Sequence, residues 1–299
     1  VHPSPEVLRV KSSPPAEAIE LAERIPSSGA LLIWPRRLPT AAPRLTLRDL
    51  LAPAIVVLAL LGAWELYVDL GGADALILPP PHAIASSLLS SRGLLWSNFL
   101  VTAAEVLLGI AVAIAAALVL ALTIHFSRTL RKAIYPLLIA SQTLPIPIVA
   151  PVLVLWLGFG LLPKLSIIAL VAFFPVVVTT LAGLDSVDPD LIKLMRTFDA
   201  PKRRIFREIE LPTALPGVFT GAKLAAVFAV IGAVFAEWAG ASSGLGYLFI
   251  ESMNQFLMAR AFACVAVLSA FAIALFALLS AAERLALPWA YKPTGEPQR

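Results

Sequence analysis

The sequence predicts an all-α membrane protein of six transmembrane helices, and three observations lead there. Hydrophobic residues make up 59% of the chain, charged residues only 14%, and mean hydropathy is +0.88, against about 45–50% apolar and about 25% charged for a soluble domain. From Leu50 onward, apolar runs long enough to cross a hydrocarbon core of about 30 Å recur. A bilayer admits only helices or closed barrels, and these runs have the length of helices. A soluble globular protein is excluded.

Residues 1–43 hold eight prolines and scattered charges of both signs, and read as a disordered cytoplasmic tail. Arg36 and Arg37 form a twin-arginine pair, but Pro35 and Pro39 bracket it and the first apolar run lies too far on for a cleavable signal. The pair reads as topogenic charge. A transmembrane domain over 44–290 follows, with a short cytoplasmic tail over 291–299. The apolar runs lie near 50–68, 99–124, 133–157, 164–184, 212–236 and 261–284. Val106 to Ile124, Leu165 to Leu184 and Ala261 to Ala282 are charge-free and each long enough to span, whereas Glu65 interrupts the first run. The third run carries Pro145, Pro147 and Pro151, each lacking a backbone donor. It is expected to kink, or to pack inside the protein or line a wet cavity, because lipid cannot pair the freed carbonyls.

Orientation follows from Lys and Arg in the connections. With the tail inside, 19 of the 23 basic residues fall on cytoplasmic segments, Arg92, Lys164 and Arg260 fall outside, and Lys223 sits in the fifth span. Both termini are expected in the cytoplasm, and the net charge of +4 needs no nucleic-acid partner. The single cysteine, Cys264, excludes an internal disulfide and any multi-cysteine metal site.

The loop between spans four and five, residues 185–211, is too patterned for a plain connector. Asp188-Pro189-Asp190 reads as a helix start: an N-cap, a proline at the first helical position and an acid in the positive first turn. Leu191, Leu194, Met195 and Phe198 then share one face at i, i+3, i+4 and i+7. The chain turns at Phe198-Asp199-Ala200-Pro201, and a second short helix is expected through Lys202 to Glu210. Such a pair suits docking of a motor subunit, or rests on anionic lipid.

The loop resembles the EAA loop of permease subunits of ATP-binding cassette importers, written E-A-A, three residues, Gly, nine residues, Ile, one residue, Leu-Pro. Ile209, Leu211 and Pro212 match, Lys193-Leu194-Met195 replaces E-A-A, and Asp199 stands at the glycine. Asp tolerates left-handed geometry or caps the next helix. The resemblance covers roughly residues 45–290. Ile77-Leu78-Pro79-Pro80-Pro81, Trp156-Leu157-Gly158-Phe159-Gly160 and Phe173-Phe174-Pro175 are similar to the branch serving nitrate, sulfonate, taurine and vitamin precursors. Gly232 through Gly240, containing Glu237-Trp238, with Gly244-Leu245-Gly246-Tyr247, resembles most the permeases for the thiamine pyrimidine precursor or riboflavin.

This resemblance implies a binding-protein-dependent importer of the bacterial inner membrane: a permease homodimer, two cytoplasmic ATPase subunits and an external solute-binding protein. The chain itself is expected to be no enzyme and to bind no cofactor or metal, ATP and Mg lying on the ATPase subunits. It contains no G-x-x-x-x-G-K-[ST] stretch to cradle a phosphate. The residues the resemblance offers for ATPase coupling are Leu194, Met195, Phe198, Asp199, Ala200, Pro201, Arg204, Ile209, Leu211 and Pro212.

Candidate pathway residues are Gln142, Thr143 and Asn254 as uncharged polar groups, Trp156 and Phe174 as stacking rings, and Lys223 and Glu237 as intramembrane charges. Glu105 either pairs with Lys223 or faces the pathway. Glu65 and Glu237 lie near outer span ends and either reach the interface or, for Glu237, serve the outer mouth. Gly217 and Gly221 form a GxxxG step suited to close helix packing. An ATP-independent secondary transporter is the rival of a different class, but the inverted repeat that would favour it is not visible. Ser243 and His82 could meet as a hydrolase dyad, with nothing to orient them.

Overall fold

The computed structural model describes residues 47–74 and 76–290. The two expected tails, with Arg36 and Arg37, lie outside the described residues. Among those residues the structure is helical: α1 Leu47–Asp69, α2 Pro81–Ser90, α3 Arg92–Phe126, α4 Arg128–Ser141, α5 Ile146–Leu157, α6 Leu161–Asp185, α7 Pro189–Thr197, α8 Lys202–Gly240, α9 Leu245–Asn254 and α10 Met258–Ala286, with a final 3₁₀ turn at Pro288–Ala290. Five of these are long and apolar enough to cross a membrane, and the bent pair α4–α5, counted as one span, makes six.

Three boundaries differ from expectation. The third run is no single helix: α4 and α5 meet at 104°. Pro145 is the N-cap of α5 and Pro147 sits in its first turn, so two of the prolines start a new helix where a missing N–H costs nothing. Nor does α5 pack inside the chain, since Ile148, Leu155 and Trp156 are exposed and only Ala150 and Val154 are buried. The backbone at the corner is paired by turns, Gln142 N–H to Ile139 O and Thr143 N–H to Ala140 O, both 3.1 Å. The fifth span starts at Lys202, so the expected second loop helix is its first two turns, continuous through a π-helical turn at Phe206–Glu210. The second span starts at Arg92, seven residues ahead of its apolar run.

The core lies where α3, α6 and α8 meet, and small residues let the backbones approach. Ala113, Ala117 and Ala121 on α3 and Ala225, Ala226, Ala229 and Ala233 on α8 are fully buried, against Ile168, Ala172 and Val176 of α6. The GxxxG step has the expected role. A Cβ at Gly217 would lie 2.5 Å from the carbonyl oxygen of Thr179, and one at Gly221 would lie 2.7 Å from the Cα of Val176. In contrast α1 is exposed along nearly all of Leu51–Asp69. It touches the rest through Trp64 against Phe262 of α10, with ring centroids 6.0 Å apart, and through Glu65 to His82 of α2.

Candidate functional site

Two assemblies stand out, one at each end of the bundle. The first is the loop between α6 and α8. Asp188 caps α7 by accepting the backbone N–H of Asp190 at 2.9 Å, and Pro189 fills the first helical position. No residue of α7 is buried: Leu191 and Leu194 are exposed, and Phe198 is 75% exposed. The helix thus leaves an apolar face open beside Lys193 and Arg196. Asp199 takes φ 54°, the left-handed geometry that Asp tolerates better than most residues. Ala200 N–H closes this turn on Met195 O at 3.1 Å, and Pro201 caps the start of α8. Arg204 is exposed and pairs with Glu208 at 3.0 Å, Ile209 is half-buried in the π-helical turn, and Leu211 and Pro212 continue the helix.

The second assembly anchors the start of α9. Glu237, 1% exposed, accepts N–H groups from Gly246 at 2.5 Å and Tyr247 at 3.2 Å, and the hydroxyl of Thr102 at 2.6 Å. Thr102 accepts Leu245 N–H and Asn98 accepts Gly244 N–H, both at 2.8 Å. The backbone donors that a helix start leaves free are thus held by side chains of α3 and α8. Gly244, at φ 119°, is required here because any Cβ would run into the Glu237 carboxylate. Trp238 closes the arrangement, its indole N–H donating to Gly246 O at 3.0 Å and its ring stacked on Phe249.

Residues 105–288 match the family described as binding-protein-dependent transport system inner membrane component. The chain belongs to this family of importer permeases. It is 35% identical over 242 residues to the formylaminopyrimidine transport permease protein ThiX of Halalkalibacterium halodurans, covering 81% of this chain and 97% of that protein. It is 34% identical to the riboflavin transport system permease protein RibX of Chloroflexus aurantiacus, covering 79% and 88%, and 28% identical to a putative aliphatic sulfonates transport permease protein, SsuC, of Bacillus subtilis, covering 81% and 87%. A chain from a crystal structure of an amino acid ABC transporter with histidines shares the fold, with a TM-score of 0.54 at 16% identity, over 68% of this chain and 97% of that one.

In this permease the suggested pathway residues do not converge. Gln142 and Thr143 sit exposed at the α4–α5 corner, Trp156 is exposed at the end of α5, Phe174 packs against the core and Asn254 is exposed at the end of α9. Of the two alternatives for Glu105, the link to Lys223 does not form, and two other pairs stand in its place. Glu105 pairs with Lys164 of α6 at 2.5 Å, and Lys223 pairs with Glu283 of α10 at 2.7 Å. Lys223 is therefore half of an inter-helix tie, and Glu237 is no interfacial end group but the buried anchor of α9. An apolar groove of about 370 Å³ runs between α8, α9 and α10, lined in part by Val230, Val234, Trp238, Phe249 and Ser269, none of them among the suggested pathway residues. Asn98 and Thr102 were missed as well. The one signal for them was their i, i+4, i+7 spacing with Glu105 on α3.

Proposed function

We propose that this permease forms, with a second copy of itself, the path by which a vitamin-related heterocycle, a thiamine pyrimidine precursor or riboflavin, crosses the inner membrane. ATP hydrolysed on separate cytoplasmic cassette subunits drives the cycle, and an external solute-binding protein delivers the substrate. The observation that carries the docking half of this reading is the open apolar face of α7, held at a fixed angle by the Asp188 cap and the Asp199 turn. Leu194, Met195, Phe198 and Asp199 through Pro201 form the contact. Arg204, Ile209, Leu211 and Pro212 pass its movement into α8 as one continuous helix, a two-state element that nucleotide on the partner biases. The excess of Lys and Arg on this end supports a cytoplasmic position for it. The substrate half is supported by likeness to the relatives named for formylaminopyrimidine and riboflavin, which match at higher identity than the sulfonate relative.

The test is reconstitution with the cassette ATPase and binding protein, measuring ATP-dependent uptake of labelled formylaminopyrimidine, hydroxymethylpyrimidine, riboflavin and taurine beside Phe198→Lys. Uptake of one heterocycle that requires ATP and collapses in the variant is the expected result. Uptake of taurine alone transfers the substrate to the sulfonate class. Uptake without any ATPase overturns the ATP-driven reading in favour of a secondary transporter.

A further inference from the structure

The short corner between α3 and α4 touches α6 just before the docking loop and the π-helical turn of α8 just after it. Helix α3 ends at Phe126, α4 begins at Arg128, and Ser127 alone joins them, its side chain accepting Leu130 N–H at 3.3 Å. On one flank Arg131 forms a two-pronged pair with Asp185, the last residue of α6, one prong measuring 2.9 Å. On the other flank His125 Nε2 lies 3.1 Å from a carboxylate oxygen of Glu210, the last residue of the π-helical turn in α8. A carboxylate accepts, so the ring nitrogen donates there. Phe126 and Phe206 add an aromatic contact at 5.2 Å. Asp185 ends span four ahead of the loop, and Glu210 lies in α8 about two turns past its start at Lys202.

From this juxtaposition we infer that the corner at residues 125–131 is a clamp that carries the swing of the docking helix into α3 and α4, so that the spans before the loop move together with those after it. The inference rests on α7 being the ATPase contact proposed above. A loop hinged only on α6 and α8 would move those two helices and leave α4 and α5 behind. Fixing the helix on either side of it to one corner makes α4 follow through Arg131 and α3 through His125. A two-pronged guanidinium–carboxylate pair fixes direction as well as distance, and the π-helical turn gives α8 a local irregularity of the kind found at functional joints. His125 and Arg131 are positioning residues, since neither lies on the open face of α7.

The test uses the complete transporter in proteoliposomes, with substrate uptake and ATP hydrolysis measured in parallel. Arg131→Glu and Asp185→Arg are each expected to leave ATPase binding and hydrolysis within about twofold while substrate moved per ATP falls about tenfold, the size of an ordinary coupling free energy. The exchanged double variant, Arg131→Glu with Asp185→Arg, is expected to recover most of that ratio. Glu210→Gln, which keeps an acceptor for His125, is expected to lose less than Glu210→Leu. Should a charge reversal fail to fold, Arg131→Gln and Asp185→Asn read the same ratio. An unchanged ratio in the single variants, or a double variant that recovers nothing, overturns the clamp. Phe198→Lys separates the two readings: if it keeps ATPase binding, the docking assignment falls, and if it loses binding while Arg131→Glu stays coupled, the clamp alone falls.

Discussion

Replacing Glu237 by alanine isolates what the buried carboxylate does. In the intact permease its oxygens receive two backbone donors, Gly246 and Tyr247, and the Thr102 hydroxyl, at a site 1% exposed. Glu237→Ala strands both N–H groups, that of Gly246 in a buried site and that of Tyr247 in a half-buried one. Each stranded donor costs about 1–3 kcal/mol, so the start of α9 loses about 2–6 kcal/mol. At about 1.4 kcal/mol per decade, its local opening rises at least about thirtyfold. Glu237→Gln keeps one oxygen and loses about 1 kcal/mol, one ordinary hydrogen bond. The assay is hydrogen exchange of the permease in nanodiscs, read on peptides covering residues 244–250 and compared with peptides of α6 as an internal standard. Protection of 244–250 in folded Glu237→Ala within about twofold of the parent would refute the anchor.

Three further outcomes follow from the same contacts. Breaking the Glu105 to Lys164 pair by Glu105→Leu or Lys164→Met alone is expected to cost about 3–5 kcal/mol, while the double replacement by apolar groups is near neutral, as for buried pairs generally; thermal unfolding of the three variants decides this. Asp199→Gly is expected to match or exceed the parent in stability and keep ATPase binding, whereas Asp199→Val loses about 1–2 kcal/mol at φ 54°; a valine variant as stable as the parent refutes the left-handed turn. The hydrogen bond to Glu65 raises the His82 pKa above its ordinary value of 6.5. A raised pKa stabilises the folded protein fully below that value, and the contribution fades as pH climbs through the folded pKa. The tie between α1 and α2 therefore weakens as pH climbs past 6.5 and through the raised pKa, and a ring titration by NMR that stays at or below 6.5 counts against it.

Much of the docking loop was legible because its determinants are local. Asp188 reaches a donor two residues away, Pro189 suits a first turn, and Asp199 tolerates its own dihedral whatever the rest of the chain does. The Gly217–Gly221 step was legible for a similar reason, since two small residues one turn apart mark a close approach before the neighbour is known. The partners of Glu105 and Lys223 were not, because pairing depends on how α3, α6, α8 and α10 slide past one another, and each acid had more than one base in range of sequence reasoning. Composition also shortened α8, whose first turns through Lys202, Arg203 and Arg204 are helical without being apolar. Pro145 and Pro147 announced an interruption of the third span, but not a bend of 104°.

The placement of polar ties on α3 bears on which parts of the permease can move. Asn98, Thr102 and Glu105 lie at i, i+4 and i+7, hence along one face, and hold α9, α8 and α6 respectively. Sliding α3 by one turn, about 5.4 Å, would break all three at once and leave buried donors and a buried lysine unpaired. Buried ion pairs add little net stability, but losing one partner is expensive, so their effect is to make a single register far better than its neighbours. The α3–α6–α8–α9 contact is therefore expected to travel as one body through the transport cycle, with rearrangement falling on α1 and α5, which bury few residues. Spin labels at the exposed positions Leu100 of α3 and Met253 of α9 would keep one distance distribution with and without ATP if this is right. A second distance populated only with nucleotide would show that the anchored face itself opens.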